Sequence, residues 1–361
     1  MKVTILGHFA DGSDFCDGQT VKTRMLFNGF TKFTDYELTK IDTYKWKKHP
    51  LKLVKNIKKS IKNSDILIML PASNGVKVFV PLVNYFNKKN SCKIFYSVIG
   101  AWLAKLVKNK PRLSKSLQKL DGLWVETNTL KNELATINIK NAQIVNNFKD
   151  INIAQVDKQA IYNCTPKSFC TFSRVIKEKG ITMAIESIAR INNMCDDLNF
   201  NNRNEIEIIA KLDIYGPVGE DYKKEFFDLL EKYSKFVEYK GVVNPSDSAK
   251  IISQYYCLLF PTLFATEGIP GTIIDSYFAG TPIIASEWNS CYDILNNDCA
   301  LIYDFQSYEK GLLECIIAFI NMEEKIYLRM TDNCFIESKK YEMENVIYQL
   351  INEMRMEKEV L

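Results

Sequence analysis

Glu267 and Asp275, eight positions apart, fall inside the segment from Pro261 to Ser286. An apolar run stops at Pro261, a loop presents Glu267 and Gly268, and a helix is expected to begin near Pro270, since proline is tolerated in a first turn that needs no amide donor. Free amides near Ile269, Gly271 and Thr272 would point out of that turn, and the helix dipole adds partial positive charge, which suits a phosphate. Gly268 and Gly271 leave room for close approach. Glu267 is an acceptor and suits sugar hydroxyls better than phosphate. Asp275, one turn further on, can reach a ribose diol.

These groups need a scaffold. Residues 2–6 form a short β-branched apolar run ending at Gly7, followed by a Gly- and Asp-rich loop and a helical pattern over 21–33. Strand patterns recur at 65–70, 93–97, 122–125 and 142–145, with helical patterns at 76–87 and 103–120 and after Thr127, a candidate N-cap. Residues 146–166 are polar without an amphipathic period and mark an interdomain connection. Strands then resume at 169–172, 206–215, 236–239, 256–261, 282–285 and 299–303, with helices between them and on to Lys358. Alternation of this kind predicts an α/β protein with two doubly wound, Rossmann-like halves. Two such halves facing each other would make a cleft outside the carboxyl ends of the strands.

Composition narrows the function. The chain has 361 residues, 47% hydrophobic and 25% charged, enough for two folded cores. A net charge of +4 is too small a bias to indicate a nucleic-acid partner by itself. The 10 cysteines form no Cys-x-x-Cys pair and there are two histidines, His8 and His49, so a Cys/His zinc site is not expected. Buried thiols in a reducing cytoplasm are the simpler reading. No run approaches the length of a membrane span, which predicts a soluble protein or one attached at a membrane surface. Basic segments at 45–49 and 105–119, interleaved with Trp46, Trp102 and Leu106, present either a lipid-facing or a solvated surface.

The segment from Pro261 to Ser286 resembles the Glu-x7-Glu donor motif of the retaining GT-B glycosyltransferases (glycosyl transferases group 1), with Asp275 at the second, usually Glu, position. The ending Ala279-Gly280-Thr281-Pro282 is also similar to that family. Ser173-Arg174-Val175-Ile176-Lys177-Glu178-Lys179-Gly180 resembles its Gly-Arg-x4-Lys-Gly turn, with Ser173 replacing Gly. The resemblance implies that Glu267 contacts the donor sugar, Asp275 the ribose, and Arg174 and Lys179 the pyrophosphate. It makes Glu267, Arg174 and Lys179 the catalytic set. Gly18, in Asp17-Gly18-Gln19-Thr20, sits where the family carries a glycine-rich loop facing the donor. Gly216, Val242 and Val243 match positions that build its nucleobase pocket, and Ile269, Pro270, Gly271 and Thr272 complete the donor set. The histidine that many relatives carry after the strand at 93–97 is missing, since the chain there reads Val98-Ile99-Gly100-Ala101-Trp102.

The implied architecture is an acceptor domain at 1–150, a donor domain at 151–340, and a C-terminal helix at 341–361 packing back on the first. The implied activity is retaining, metal-independent transfer of a hexose-type sugar from a UDP-sugar, which is a substrate, to a glycan or lipid-linked acceptor. Bacterial surface polysaccharide synthesis in the cytoplasm, at most peripheral to the membrane, is the expected setting, with no cofactor and no nucleic-acid partner. A non-catalytic partner of the same fold and a nucleotide-sugar epimerase remain open from the residues alone.

Overall fold

The computed structural model describes residues 1–13, 18–198, 208–265, 267–304 and 306–355. Readings that touch Asp17, Ile206, Glu207, Thr266 and residues 356–358 lie outside them. The chain divides into two compact units, Met1–Asp150 with Lys340–Leu361, and Ile151–Lys339.

Unit 1 opens with β1 (Lys2–Gly7), α1 (Gly18–Phe33), β2 (Glu37–Asp42), α2 (Pro50–Asn63), β3 (Ile66–Met69) and α3 (Ser73–Asn87). It continues with β4 (Lys93–Ser97), α4 (Leu103–Val107), α5 (Pro111–Leu117), β5 (Gly122–Val125), α6 (Asn128–Thr136) and β6 (Ala142–Ile144). The strands form one parallel sheet in the order β2-β1-β3-β4-β5-β6. Central β3 is buried along its whole length, as a strand covered on both faces must be. On one face α2 packs Leu53, Ile57 and Ile61, at helical spacing, beside Val76, Phe79 and Val83 of α3. Thr127 caps α6 as its sequence suggests, its Oγ1 accepting from the Leu130 amide at 3.2 Å.

Three features of unit 1 depart from the sequence reading. Helix α2 was not anticipated, although its buried Leu53, Ile57 and Ile61 stand at helical spacing. The edge strand β2 had no hydrophobic signal because only Ile41 of its six residues is buried. The single helix expected over 103–120 is two, because Pro111 lacks an amide and takes the first turn of α5.

Unit 2 begins with α7 (Lys158–Asn163), β7 (Lys167–Phe172), α8 (Ile181–Leu198), β8 (Ala210–Tyr215), α9 (Lys223–Lys232), β9 (Val237–Gly241) and α10 (Ser248–Ile252). It ends with β10 (Cys257–Phe260), α11 (Gly271–Phe278), β11 (Ile283–Ser286), β12 (Ala300–Tyr303), α12 (Tyr308–Ile320) and α13 (Glu324–Ser338). Its parallel sheet runs β12-β11-β10-β7-β8-β9. Strand order reverses between β10 and β7, and in open α/β sheets the ligand crevice lies at such a switch, outside the carboxyl ends of the strands. The last helix, α14 (Met343–Arg355), belongs to unit 1, where Ile347 and Leu350 join Leu26, Phe30 and Trp124 in the core of the second sheet face.

The segment expected to be a bare connection holds α7. Asp157 caps it through Oδ1, which accepts from the Gln159 and Ala160 amides at 3.0 Å each. Its anchor is Lys158, 7% exposed, whose Nζ donates to the Ser253 carbonyl at 2.8 Å and to Thr281 Oγ1 at 2.9 Å. Burial pulls this ammonium down to about 8, against smaller opposing effects of the Cys334 and Cys170 sulfurs. Below pH 8 both folded and unfolded chains carry the charge and the burial penalty is complete. As pH rises from 8 toward the ordinary lysine value of 10.5, the folded chain sheds the proton first and the penalty is relieved. The stability of Lys158→Met relative to the parent is therefore expected to fall by roughly 3 kcal/mol between pH 7 and pH 10.5. Urea melts of both proteins across that range check it, and a difference independent of pH refutes it.

Candidate active site in unit 2

The switch point brings together two segments 88 residues apart. After β7 the chain makes a 3-10 turn, Lys177–Lys179, closed by Gly180 at φ 70°. A Cβ on Gly180 would stand 1.9 Å from the Pro261 carbonyl oxygen, so only glycine lets this turn lie against the backbone leaving β10. The Leu263 amide donates to the Glu178 carbonyl at 2.8 Å and fastens the two segments.

That contact delivers Lys179 to Glu267. Their side chains form an ion pair, 13% and 16% exposed. Thr262 Oγ1 donates to Glu267 Oε1 at 3.0 Å, and Ser290 Oγ donates to the Glu267 carbonyl at 2.9 Å. The Lys179 ammonium also faces the Phe260 and Phe264 rings, 5.4 and 5.1 Å from their centroids. Both charges are thus held at one place. Beside them α11 begins at Gly271 after Pro270, and no side chain caps that N-terminus. Gly268, Pro270, Gly271 and Thr272 are partly exposed there, while Ile269 is buried.

The remaining residues singled out in the sequence are spread more widely. Arg174 follows β7, is exposed, and has no ion-pair partner among the described residues. Gly216 has φ 132°, and a Cβ there would meet the Ser173 carbonyl oxygen at 1.7 Å, so its glycine is required by the crossing of two strand ends. Val242 is exposed and Val243 partly so, after β9. Asp275 is 3% exposed and accepts from Ser248 Oγ at 2.7 Å, which ties α11 to α10. Gly18 opens α1 of unit 1, and a Cβ there would meet open space.

Two polar groupings were not foreseen. At the ends of β7 and β8 the Phe172 and Tyr215 rings stack at 4.3 Å, and Tyr215 Oη shares a 2.7 Å hydrogen bond with Tyr255 Oη. Tyr255 donates to Asp213 Oδ2 at 2.6 Å, and burial followed by these hydrogen bonds pushes its hydroxyl far up, which keeps it a donor. In unit 1, Lys22 of α1 and Glu126, just past β5, form an ion pair 8% and 6% exposed. Their separation of 104 residues gave no local signal.

Residues 166–321 match the family model of the glycosyl transferases, group 1. The matched segment contains the ion pair, the α11 N-terminus and Arg174 together. Solved structures similar to the whole chain carry the GT-B fold, and the chain has that fold. Anabaena Alr3699/HepE, solved in complex with UDP, is 12% identical over 98% of this chain and 99% of its own, with TM-score 0.73. Sucrose-phosphate synthase from Thermosynechococcus elongatus is 12% identical over 98% of each chain, with TM-score 0.75. TarM from S. aureus is 18% identical over 84% of this chain and 58% of its own, with TM-score 0.61. No curated protein sequence matches the chain.

Proposed function

We propose that this chain transfers a hexose-type sugar from a UDP-sugar to a glycan or lipid-linked acceptor, with retention of configuration and without a metal. The observation that carries the reading is the Lys179–Glu267 pair, set beside an uncapped helix N-terminus at the switch point of the glycosyl transferase segment. In this reading the Gly271 and Thr272 amides with Arg174 and Lys179 take up the negative charge that grows on the departing nucleoside diphosphate. Glu267 accepts hydrogen bonds from the donor sugar and orients it. Asp275 holds the ribose once a ribose hydroxyl takes the place of Ser248 Oγ. Val242 and Val243 border the base, and unit 1 supplies the acceptor side. Crystal complexes of Alr3699/HepE with UDP and with UDP-glucose support the choice of donor. The eight described cysteines are free thiols, which supports a cytoplasmic setting, and surface polysaccharide synthesis is the proposed context.

A thermal-shift screen of sugar nucleotides tests this. A true donor at about 100 times its Kd stabilises the folded protein by about 2.7 kcal/mol, which raises Tm by roughly 5–11 °C for a domain of about 150–250 residues. Lys179→Met is expected to keep most of the shift, because its charge acts mainly on the departing diphosphate in the transition state. A screen in which no uridine nucleotide moves the melt rejects the proposal.

A further inference from the structure

Between Thr43 and Leu120 the sequence holds eighteen Lys and Arg residues and a single acid, Asp65. The structure gathers the helices of this stretch, α2 to α5, on one face of the unit 1 sheet, over a shared apolar core. Seventeen of the eighteen cations are exposed, Lys93 being the exception, and none of the seventeen forms an ion pair among the described residues. Like charges kept unpaired at this density repel one another, and an opposite charge would relieve that repulsion.

The aromatic anchors suggested by the sequence are only partly exposed. Trp46 packs edge-on against Phe79 at 5.2 Å, Trp102 Nε1 donates to the Ile99 carbonyl at 2.7 Å, and both, with Leu106, pack against the core. Other apolar side chains stand out instead. Val78, Pro81 and Tyr85 share one face of α3, with Val78 42% and Tyr85 64% exposed. On the adjoining α2, Leu51 is 83% exposed and heads a stripe with Lys55, Lys58 and Lys62 at helical spacing. A soluble polyanion would pair with the lysines and leave the apolar stripe in water. The boundary between anionic headgroups and acyl chains accommodates both.

We propose that the α2–α3 face of unit 1 docks on an anionic lipid bilayer, with Leu51, Val78 and Tyr85 entering the headgroup boundary and the lysines of α2 pairing with lipid phosphates. No helix among the described residues is long and apolar enough to cross a membrane, so the contact lies in the plane of the surface. Vesicle binding needs no turnover, so the proposal stands or falls separately from the transferase reading.

The test is flotation of the full chain with vesicles of phosphatidylcholine, alone or mixed with phosphatidylglycerol. Binding is expected only to the mixture, and to fall as salt rises to about 1 M, where the screening length shrinks to about 3 Å. Lys55→Glu combined with Lys58→Glu and Lys62→Glu is expected to weaken partitioning about tenfold or more. Val78→Ser with Tyr85→Ser is expected to weaken it about tenfold. Lys224→Glu on α9 of unit 2 should change nothing. All these positions are exposed, so unchanged thermal melts confirm folding. Equal binding to both vesicle types overturns the proposal. So does capture by soluble polyphosphate without flotation, or a Val78/Tyr85 variant that floats like the parent.

Discussion

Lys179→Met is expected to lower kcat for sugar transfer by about a hundredfold to a thousandfold, the scale seen when one preorganised group facing developing charge is removed. The reason is placement. The ammonium is already desolvated, paired with Glu267, and flanked by Phe260 and Phe264, so no reorganisation is needed when the leaving diphosphate acquires charge. The loss should therefore fall more on kcat than on KM. Lys179→Arg keeps the charge, but its larger planar head does not suit the space between two rings, and partial recovery is expected. Glu267→Gln retains an acceptor for Thr262 while removing the counter-charge, and should also lower kcat. Lys177→Ala is the control. Its ammonium lies two residues away on the same turn but is 67% exposed and pairs with Glu225 at 3.2 Å, so activity should stay at the parent level. Steady-state kinetics on the donor found by the screen decide the matter, and a Lys179→Met enzyme with parental kcat sinks the catalytic assignment.

Much of the fold was legible because its strands carry their own signal. Residues such as Ile66-Leu67-Ile68-Met69 and Cys257-Leu258-Leu259-Phe260 are apolar on both faces and end at turn residues, which is how a buried parallel strand reads. Elements stabilised by other means were invisible. β2 is an edge strand held by its ladder to β1, with only Ile41 buried, so exposed Glu37, Thr39 and Lys40 mask it. α7 is anchored by a buried lysine, and a hydrophobic period has nothing to register there. In the candidate site, Glu267 and the glycines near it were legible because a strand end, a loop and a helix start follow one another within a few residues. The partnership of Glu267 with Lys179 was not, because strand order sets it. Asp275 shows a further limit. Its position on α11 could be read, but the Ser248 hydroxyl it accepts from comes from a different helix.

Glu126→Ala alone is expected to destabilise unit 1 by about 3–5 kcal/mol, the usual penalty for leaving a buried charge without its partner. Lys22 and Glu126 are both over nine-tenths buried, and the pair fastens α1 to the end of β5, next to the Thr127 cap of α6. Removing the carboxylate strands the ammonium in a region with little water. Removing both charges does not. Lys22→Met with Glu126→Leu is expected to recover most of the loss, because matched apolar groups need no counter-ion and replacement of a buried pair is often neutral or better. The non-additivity, roughly 2 kcal/mol or more in a double-mutant cycle, is the quantity that isolates the pair from the packing of each side chain. Denaturant melts of the four proteins supply it, and additive single effects would show that the two charges do not depend on each other. The pair sits at the carboxyl edge of the unit 1 sheet, where α/β folds bind ligands. Stability alone is a weak reason to keep charges there when a Met–Leu contact would hold α1 as well. A double variant that melts like the parent yet transfers sugar slowly would therefore assign the pair to the acceptor side of the reaction.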